Sequence, residues 1–281
     1  MQEEASTEYR SNVSLARRAY NIRRKAIQMG EVQGQGYVGQ ALGVADVLAV
    51  SFFHAAEYRA EDPEWEGRDR YQLSIGHYAI AFYATLMEAG ILPEEELGTY
   101  GMDDSRMPMS GMASYTPGME MSGGSLGLGL SVGVGRALGL KRNGNPALIF
   151  NLMSDGELGE GSTWEAAMAA AHHKLDNLVC IVDFNNQQAD GASTGMCSSE
   201  PVDKKFEAFG WFTQRVDGND IPALVEAFDA ARAHDGPHPC VIICDTKMCK
   251  GVPFLEEREI THFVRVEPDE WQKALAVLDE E

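Results

Sequence analysis

The chain has 281 residues, 44% of them hydrophobic, with 23 Lys and Arg against 43 Asp and Glu and a formal charge of −20. That apolar content rules out disorder of the whole chain, because too little hydrophobicity is what keeps a chain from burying a core. The acidic balance excludes nucleic acid and anionic membrane surfaces as partners, since both call for a basic face.

Residues 1–30 form an expected N-terminal helical arm, with Leu15, Ala19, Ile22, Ala26 and Met29 at helical spacing. A glycine-rich turn over 30–43 leads to a second helical pattern over 44–59. A polar loop is expected at about 60–75 and a helix over 77–89. A second long loop at about 93–122 contains Met102, Met107, Met109, Met112 and Met119; methionines in such a loop predict adaptable packing. The most apolar region, 125–140, is broken by glycines and carries Arg136, so nothing reaches the roughly 18–20 unbroken apolar residues of a spanning helix. The acidic first residues show no secretory signal, and five cysteines without a disulfide pattern predict a reducing, cytoplasmic setting.

The second half alternates. Strands are predicted at 147–153, 178–184, 211–216 and 240–246, with helices at 163–174 and 221–233. This pattern predicts an α/β fold: a doubly wound, mostly parallel sheet with helices on both faces. With no internal repeat and no linker composition, 1–281 is expected to be a single domain.

The chemistry concentrates in Ser154-Asp155-Gly156-Glu157-Leu158-Gly159-Glu160-Gly161 and Asp183-Phe184-Asn185-Asn186-Gln187. Asp155 follows one predicted strand and Asn185 ends the next. Ligands of open parallel sheets sit outside the carboxyl ends of the strands. A carboxylate and an amide oxygen there form half of a hard-cation site, whose other oxygens come from phosphate and water. Gly156 and the following helix N-terminus would admit a phosphate. The residues alone leave two readings: a diphosphate held through a divalent cation, or a helix cap at Asp155 with a turn at Asn185-Asn186.

Asp155-Gly156 with Asn185 resembles the thiamine diphosphate signature, and the surrounding residues resemble transketolase. The matching elements are Glu160-Gly161, Trp164-Glu165-Ala166, His172-His173-Lys174-Leu175-Asp176-Asn177-Leu178 and Asp190-Gly191. They continue in Ser74-Ile-Gly-His77-Tyr, Thr116-Pro-Gly-Met-Glu120, Ser122-Gly-Gly-Ser-Leu-Gly-Leu-Gly129 and Lys250-Gly-Val-Pro-Phe254, so that the resemblance covers most of 15–262. It implies thiamine diphosphate and Mg²⁺ (or Ca²⁺) as cofactors, with the cation on Asp155, Asn185 and the backbone carbonyl of Gln187. Gly156 and His77 would contact the diphosphate, with Glu157 and Asn185 also on the cofactor side. Gly124 and Leu126 would line the cofactor rings. Among the catalytic group, His77 and His262 would face diphosphate or substrate, and Glu160 would support the catalytic carboxylate across the interface between chains.

Two histidines of the family pattern are replaced. Gly36-Tyr37-Val38-Gly39 stands for one Gly-His-Pro-Gly element, and Met109-Ser110-Gly111 for the other, which places Tyr37 in substrate contact and implies an altered substrate: a branched, shortened or otherwise unusual ketose or keto acid. The family's pyrimidine-binding domain, with its activating glutamate, has no counterpart before Glu281. The resemblance therefore implies half of a split transketolase. Its partner would be a separate C-terminal, pyrimidine-binding subunit, the assembly a heterotetramer, and the substrate a sugar or sugar phosphate. The rival readings are the α-subunit of a 2-oxo-acid dehydrogenase, a nicotinamide-binding domain built on Gly127-Leu-Gly129, and a regulatory subunit that has lost its chemistry.

Overall fold

The computed structural model describes residues 12–280; residues 1–11 of the expected arm and Glu281 lie outside them. Helix α1, Asn12–Gln33, buries Leu15, Ala19, Ile22, Ala26 and Met29 on its inner face. Helix α2, Val38–Val50, begins earlier than predicted and continues through a widened turn, Ser51–Ala55. Gly39 and Gly43 lie inside this helix rather than in a loop. A Cβ on Gly39 would stand 2.4 Å from the carbonyl oxygen of Thr261, and one on Gly43 would stand 2.8 Å from that of Lys247. Helix content and close approach by two other chain segments are thus both satisfied, at the usual helical cost of glycine. The run 38–55 is also the stretch of the described residues long and apolar enough to cross a membrane; 94% of it is buried within the protein, as a core helix.

The sheet has five parallel strands in the order β1-β2-β3-β5-β4. They are β1 Arg70–Leu73, β2 Ile149–Ser154, β3 Leu178–Phe184, β4 Phe212–Asp217 and β5 Cys240–Asp245. Strand β1 falls in the expected loop at 60–75. Arg-Tyr-Gln-Leu has no apolar run to betray it, and it is a strand because its register against β2 pairs Arg70 with Ile149 and Leu73 with Leu152.

Helix α3, Ala79–Glu88, follows a short turn over Gly76–Tyr78. Then come α4 Gly129–Arg142, α5 Gly161–His172, the short α6 Ser193–Met196, α7 Val202–Phe209, α8 Ile221–Ala233, the short α9 Pro253–Glu256 and α10 Glu270–Glu280. Helices α4, α7 and α10 and the short α6 and α9 have no counterpart in the sequence reading. The first is masked by its glycines, which let it lie against the sheet: a Cβ on Gly129 would meet Ser74 Oγ at 2.0 Å.

Alternation along the strands divides the core in two. Phe150, Leu152, Val179, Ile181, Cys240 and Ile242 face α1, α2, α3, α8 and α10. Ile149, Met153, Cys180, Val182, Val241 and Ile243 face α4, α5 and α7. Strand β4 lies outside β5, so the chain reverses direction there, and the change places α8 on the opposite face from α5 and α7.

A buried ion pair ties the first two helices. Arg23 donates to Asp46 through both guanidinium nitrogens, Nη1 at 3.1 Å, and to the Leu42 carbonyl at 3.0 Å; Asn219 adds a bond to Asp46 at 2.9 Å. Removing one partner of such a pair leaves an uncompensated buried charge. Arg23→Met is expected to lower unfolding stability by about 3–5 kcal/mol, and Arg23→Met with Asp46→Leu to recover most of that. Urea unfolding of the two variants checks both values.

Candidate active site at the carboxyl ends of the strands

Asp155 leaves β2 on a tight turn, Asp155–Gly159, and is only 2% exposed. Neither of its carboxylate oxygens has a well-directed hydrogen bond. Burial raises its pKa to about 7, and the nearby Asp183 adds to the rise; the Ser193 hydroxyl and the N–H groups of Asn186 and Gly156 approach closely enough to offset part of it. A carboxylate desolvated without a partner is costly, and a cation placed against it removes that cost.

Asn185, just past β3, supplies the second oxygen. Its Nδ2 donates to Asp183 Oδ2 at 2.7 Å and to the Tyr78 hydroxyl at 2.7 Å. The Tyr78 hydroxyl donates in turn to Asp183 Oδ2 at 2.6 Å, and Thr246 donates to Asp183 Oδ1. Burial pushes Asp183 above the ordinary carboxylate range, while these donors pull it back. With the amide nitrogen held this way, Asn185 Oδ1 is turned outward; it accepts the Gln187 N–H at 2.9 Å and keeps a second lone pair. Asn186 takes a positive φ of 56° and uses its Oδ1 to accept from Thr194 N and Oγ1, both at 2.9 Å, which pins the loop carrying Gln187.

Among the described residues no three His, Cys, Asp or Glu gather to hold a metal by themselves. Asp155, Asn185 Oδ1 and the Gln187 carbonyl fit a hard cation that shares its remaining positions with ligand phosphate and water.

Glycines bring the remaining wall in. Gly76 admits a close approach: a Cβ there would meet Ser110 Oγ at 2.5 Å and the Gly123 carbonyl carbon at 2.7 Å. The Gly76 carbonyl accepts from Gly111 N at 3.0 Å, and the Gly111 carbonyl accepts from Gly123 N at 3.0 Å. Ser110 therefore sits against the turn that carries His77. Gly124 follows with φ of 146° and open space where a side chain would be, and Leu126 packs partly against the core.

Glu157 differs from the others. Its carboxylate accepts from Ser74 Oγ at 2.6 Å, Gly127 N at 2.8 Å and Ser154 N at 3.3 Å, so it clamps three segments together. Burial raises its pKa as well. Glu160 stands at the start of α5 in an exposed position, against Gly127.

Tyr37, His77 and His262, far apart in sequence, come together. Ring centroids lie 4.6 Å apart for Tyr37–His77, 5.7 Å for Tyr37–His262 and 5.7 Å for His77–His262, and Phe263 stands edge-on to Tyr37 at 5.0 Å. Burial lowers the His77 pKa to about 4, and the neighbouring His262 adds to the effect. Burial lowers His262 too, while the Gln187 backbone opposes it. Gln40 Nε2 donates to the His262 carbonyl and, at 3.2 Å, to His262 Nδ1. Only a nitrogen of the Gln40 amide can face that carbonyl, so Nδ1 accepts and the ring proton sits on Nε2. Both imidazoles are neutral donor–acceptors near pH 7.

Sequence reasoning missed Tyr78, Asp183, Thr246 and Gln40. Asp183 did carry a signal: a charge in an otherwise apolar strand, two residues before Asn185 and hence on the same face. His172 and His173 lie exposed at the far end of α5, away from the site, and His54 is paired with Asp229 at 2.7 Å.

The fold and this site are those of a thiamine diphosphate-binding domain. The family model described as "Transketolase, thiamine diphosphate binding domain" matches residues 15–277, and the chain belongs to the transketolase family. It is 67% identical to an uncharacterised transketolase family protein of Sinorhizobium fredii (strain NBRC 101917 / NGR234), over 95% of this chain and 96% of that protein. It is 38% identical to one subunit of the apulose-4-phosphate transketolase of Actinobacillus succinogenes, again over 95% and 96%. The transketolase structure of Campylobacter jejuni superposes with a TM-score of 0.88 at 30% identity, covering 96% of this chain and 43% of that one.

The raised pKa of Asp155 has a consequence for stability. The folded chain binds this proton more tightly than the unfolded chain, so the stability it contributes is complete below about pH 4 and is lost as pH rises toward 7. In chelator-treated protein, Asp155→Asn is expected to be more stable than wild type at pH 8 by up to about 4 kcal/mol, and to show little difference near pH 4. Thermal unfolding across that range measures the difference.

Proposed function

We propose that this chain binds the diphosphate end of thiamine diphosphate through Mg²⁺ and catalyses two-carbon ketol transfer jointly with a separate pyrimidine-binding subunit. The observation that carries the metal assignment is Asp155: buried, its oxygens without directed partners, next to an asparagine oxygen aimed by the Tyr78–Asp183–Thr246 network. Asp155, Asn185 and the Gln187 carbonyl would ligate the cation, and His77 and the Gly156 backbone would contact the diphosphate. When bound, the cofactor supplies the electron sink for breaking and forming the carbon–carbon bond. The protein's part is to hold that cofactor, keep His77 and His262 neutral beside it, and present the Tyr37 hydroxyl to the substrate.

The partner reading rests on the likeness to the apulose-4-phosphate transketolase component, matched along nearly its whole length, and on exposed apolar side chains: Leu128 just before α4, Val132 on α4 and Met168 on α5. A heterotetramer of two chains of each kind in the cytoplasm fits the same reading.

Thiamine diphosphate with Mg²⁺ at a hundredfold excess over its Kd is expected to stabilise the assembled protein by about 2.7 kcal/mol, and Asp155→Ala to abolish this. Full Mg²⁺-dependent stabilisation of Asp155→Ala in a thermal-shift series would show that the cation sits elsewhere.

A further inference from the structure

The four aromatic rings at the site are arranged as a wall. Tyr37 occupies the turn between α1 and α2, where Gly36 has a φ of 153° and the Tyr37 carbonyl accepts the Ala41 N–H at 3.2 Å, so its backbone is set by the start of α2. Its ring is tilted 48° against His77, edge-on at 83° to His262 and edge-on at 77° to Phe263. Phe263 is 43% exposed and stands beside two imidazoles, His77 and His262, that are themselves only partly buried. Among the described residues none hydrogen-bonds the Tyr37 hydroxyl, and Ser110 holds its short hydroxyl back against Gly76, the residue before His77.

We infer that Tyr37, backed by Phe263, is a specificity-determining residue that fits this site to a donor with a short, sparsely hydroxylated chain and excludes long polyhydroxylated ketoses. The inference rests on the ketol-transfer reading above for the location of the substrate. Beyond the two neutral imidazoles, the wall offers one phenolic hydroxyl and otherwise aromatic carbon. A chain with a hydroxyl on every carbon would exchange water for carbon along Phe263 and leave those hydroxyls unpaired, which a site discriminates against strongly. A donor such as hydroxypyruvate ends before it reaches Phe263 and meets only Tyr37, His77 and His262.

The test uses the protein loaded with Mg²⁺ and assembled with its pyrimidine-binding subunit; the probes are hydroxypyruvate and D-fructose 6-phosphate. Two readouts are taken: kcat/KM for each donor with thiamine diphosphate, and calorimetric binding of each donor with an unreactive thiamine diphosphate analogue in place. Wild type is expected to prefer hydroxypyruvate, Tyr37→Phe to keep the preference, and Tyr37→Ala to shift the ratio toward the sugar phosphate by about tenfold or more, chiefly through the KM and Kd of the sugar. Phe263→Ala is expected to move it the same way. A wild type that binds the sugar phosphate as tightly as hydroxypyruvate, that binds neither, or whose ratio is unmoved in Tyr37→Ala overturns the inference. Loss of the binding preference in Tyr37→Ala without ketol transfer by wild type would uphold the wall and sink the ketol-transfer reading instead.

Discussion

The site depends on one buried carboxylate that is not itself a ligand. Asp183 is 1% exposed and accepts from Tyr78, Asn185 and Thr246. Those three donors come from the turn after β1, the end of β3 and the end of β5. A carboxyl group with so little water is tolerated because its acceptor positions are filled by directed donors. The same bonds dictate which way Asn185 faces. Were the amide reversed, its oxygen would point at the Asp183 carboxylate and at the oxygen of Tyr78, and its nitrogen at the cation position. The network therefore converts an asparagine with two possible faces into an oxygen donor with one.

Glu157 does for the other half of the site what Asp183 does for the first. Its carboxylate joins the end of β1 through Ser74, the start of α4 through Gly127 and the end of β2 through Ser154. Around these two anchors glycines supply the close approaches, Gly76 against Gly123 and Gly129 against Ser74. The division of labour is physical. Acidic groups fully supplied with donors act as rigid fasteners, and the one acidic group left without them, Asp155, is the one available to a cation.

What the sequence made legible follows from the same distinction. Strands β2, β3 and β5 were visible as short apolar runs, because burial on both faces leaves an unbroken apolar mark, and α8 as a helical pattern between turn signals. Strand β1 and helix α4 left no such mark, since one is a polar edge strand and the other is thinned by glycines that serve packing against the sheet. In the site, Asp155 and Asn185 were legible from their places after strands, whereas Tyr78, Thr246 and Gln40 act on other side chains rather than on a ligand and have no motif of their own. For Glu157 the resemblance implied a place on the cofactor side; its three protein donors could be seen only in three dimensions. Tyr37 stood out as a replacement, but its ring contacts with His77, His262 and Phe263 bring together residues from 37 to 263 that spacing alone cannot join.

The acidity of the chain fits the ligand once charge is treated locally. A formal −20 would repel a diphosphate if it acted as a uniform field, but exposed charges beyond about a Debye length, roughly 8–10 Å, are screened by salt. At the strand ends the relevant charges are few. Asp183 is balanced by three donors, Glu157 is enclosed by Ser74, Gly127 and Ser154, and His77 and His262 are kept neutral by burial. Asp155 remains, and alone it would oppose an anion. The proposed divalent cation on Asp155 would reverse the local sign and turn the same carboxylate into part of the anion's binding site. Acidity elsewhere on the surface would then have little leverage over cofactor binding, and a carboxylate that weakens the isolated fold as pH rises would become a stabilising contact with the proposed cation in place.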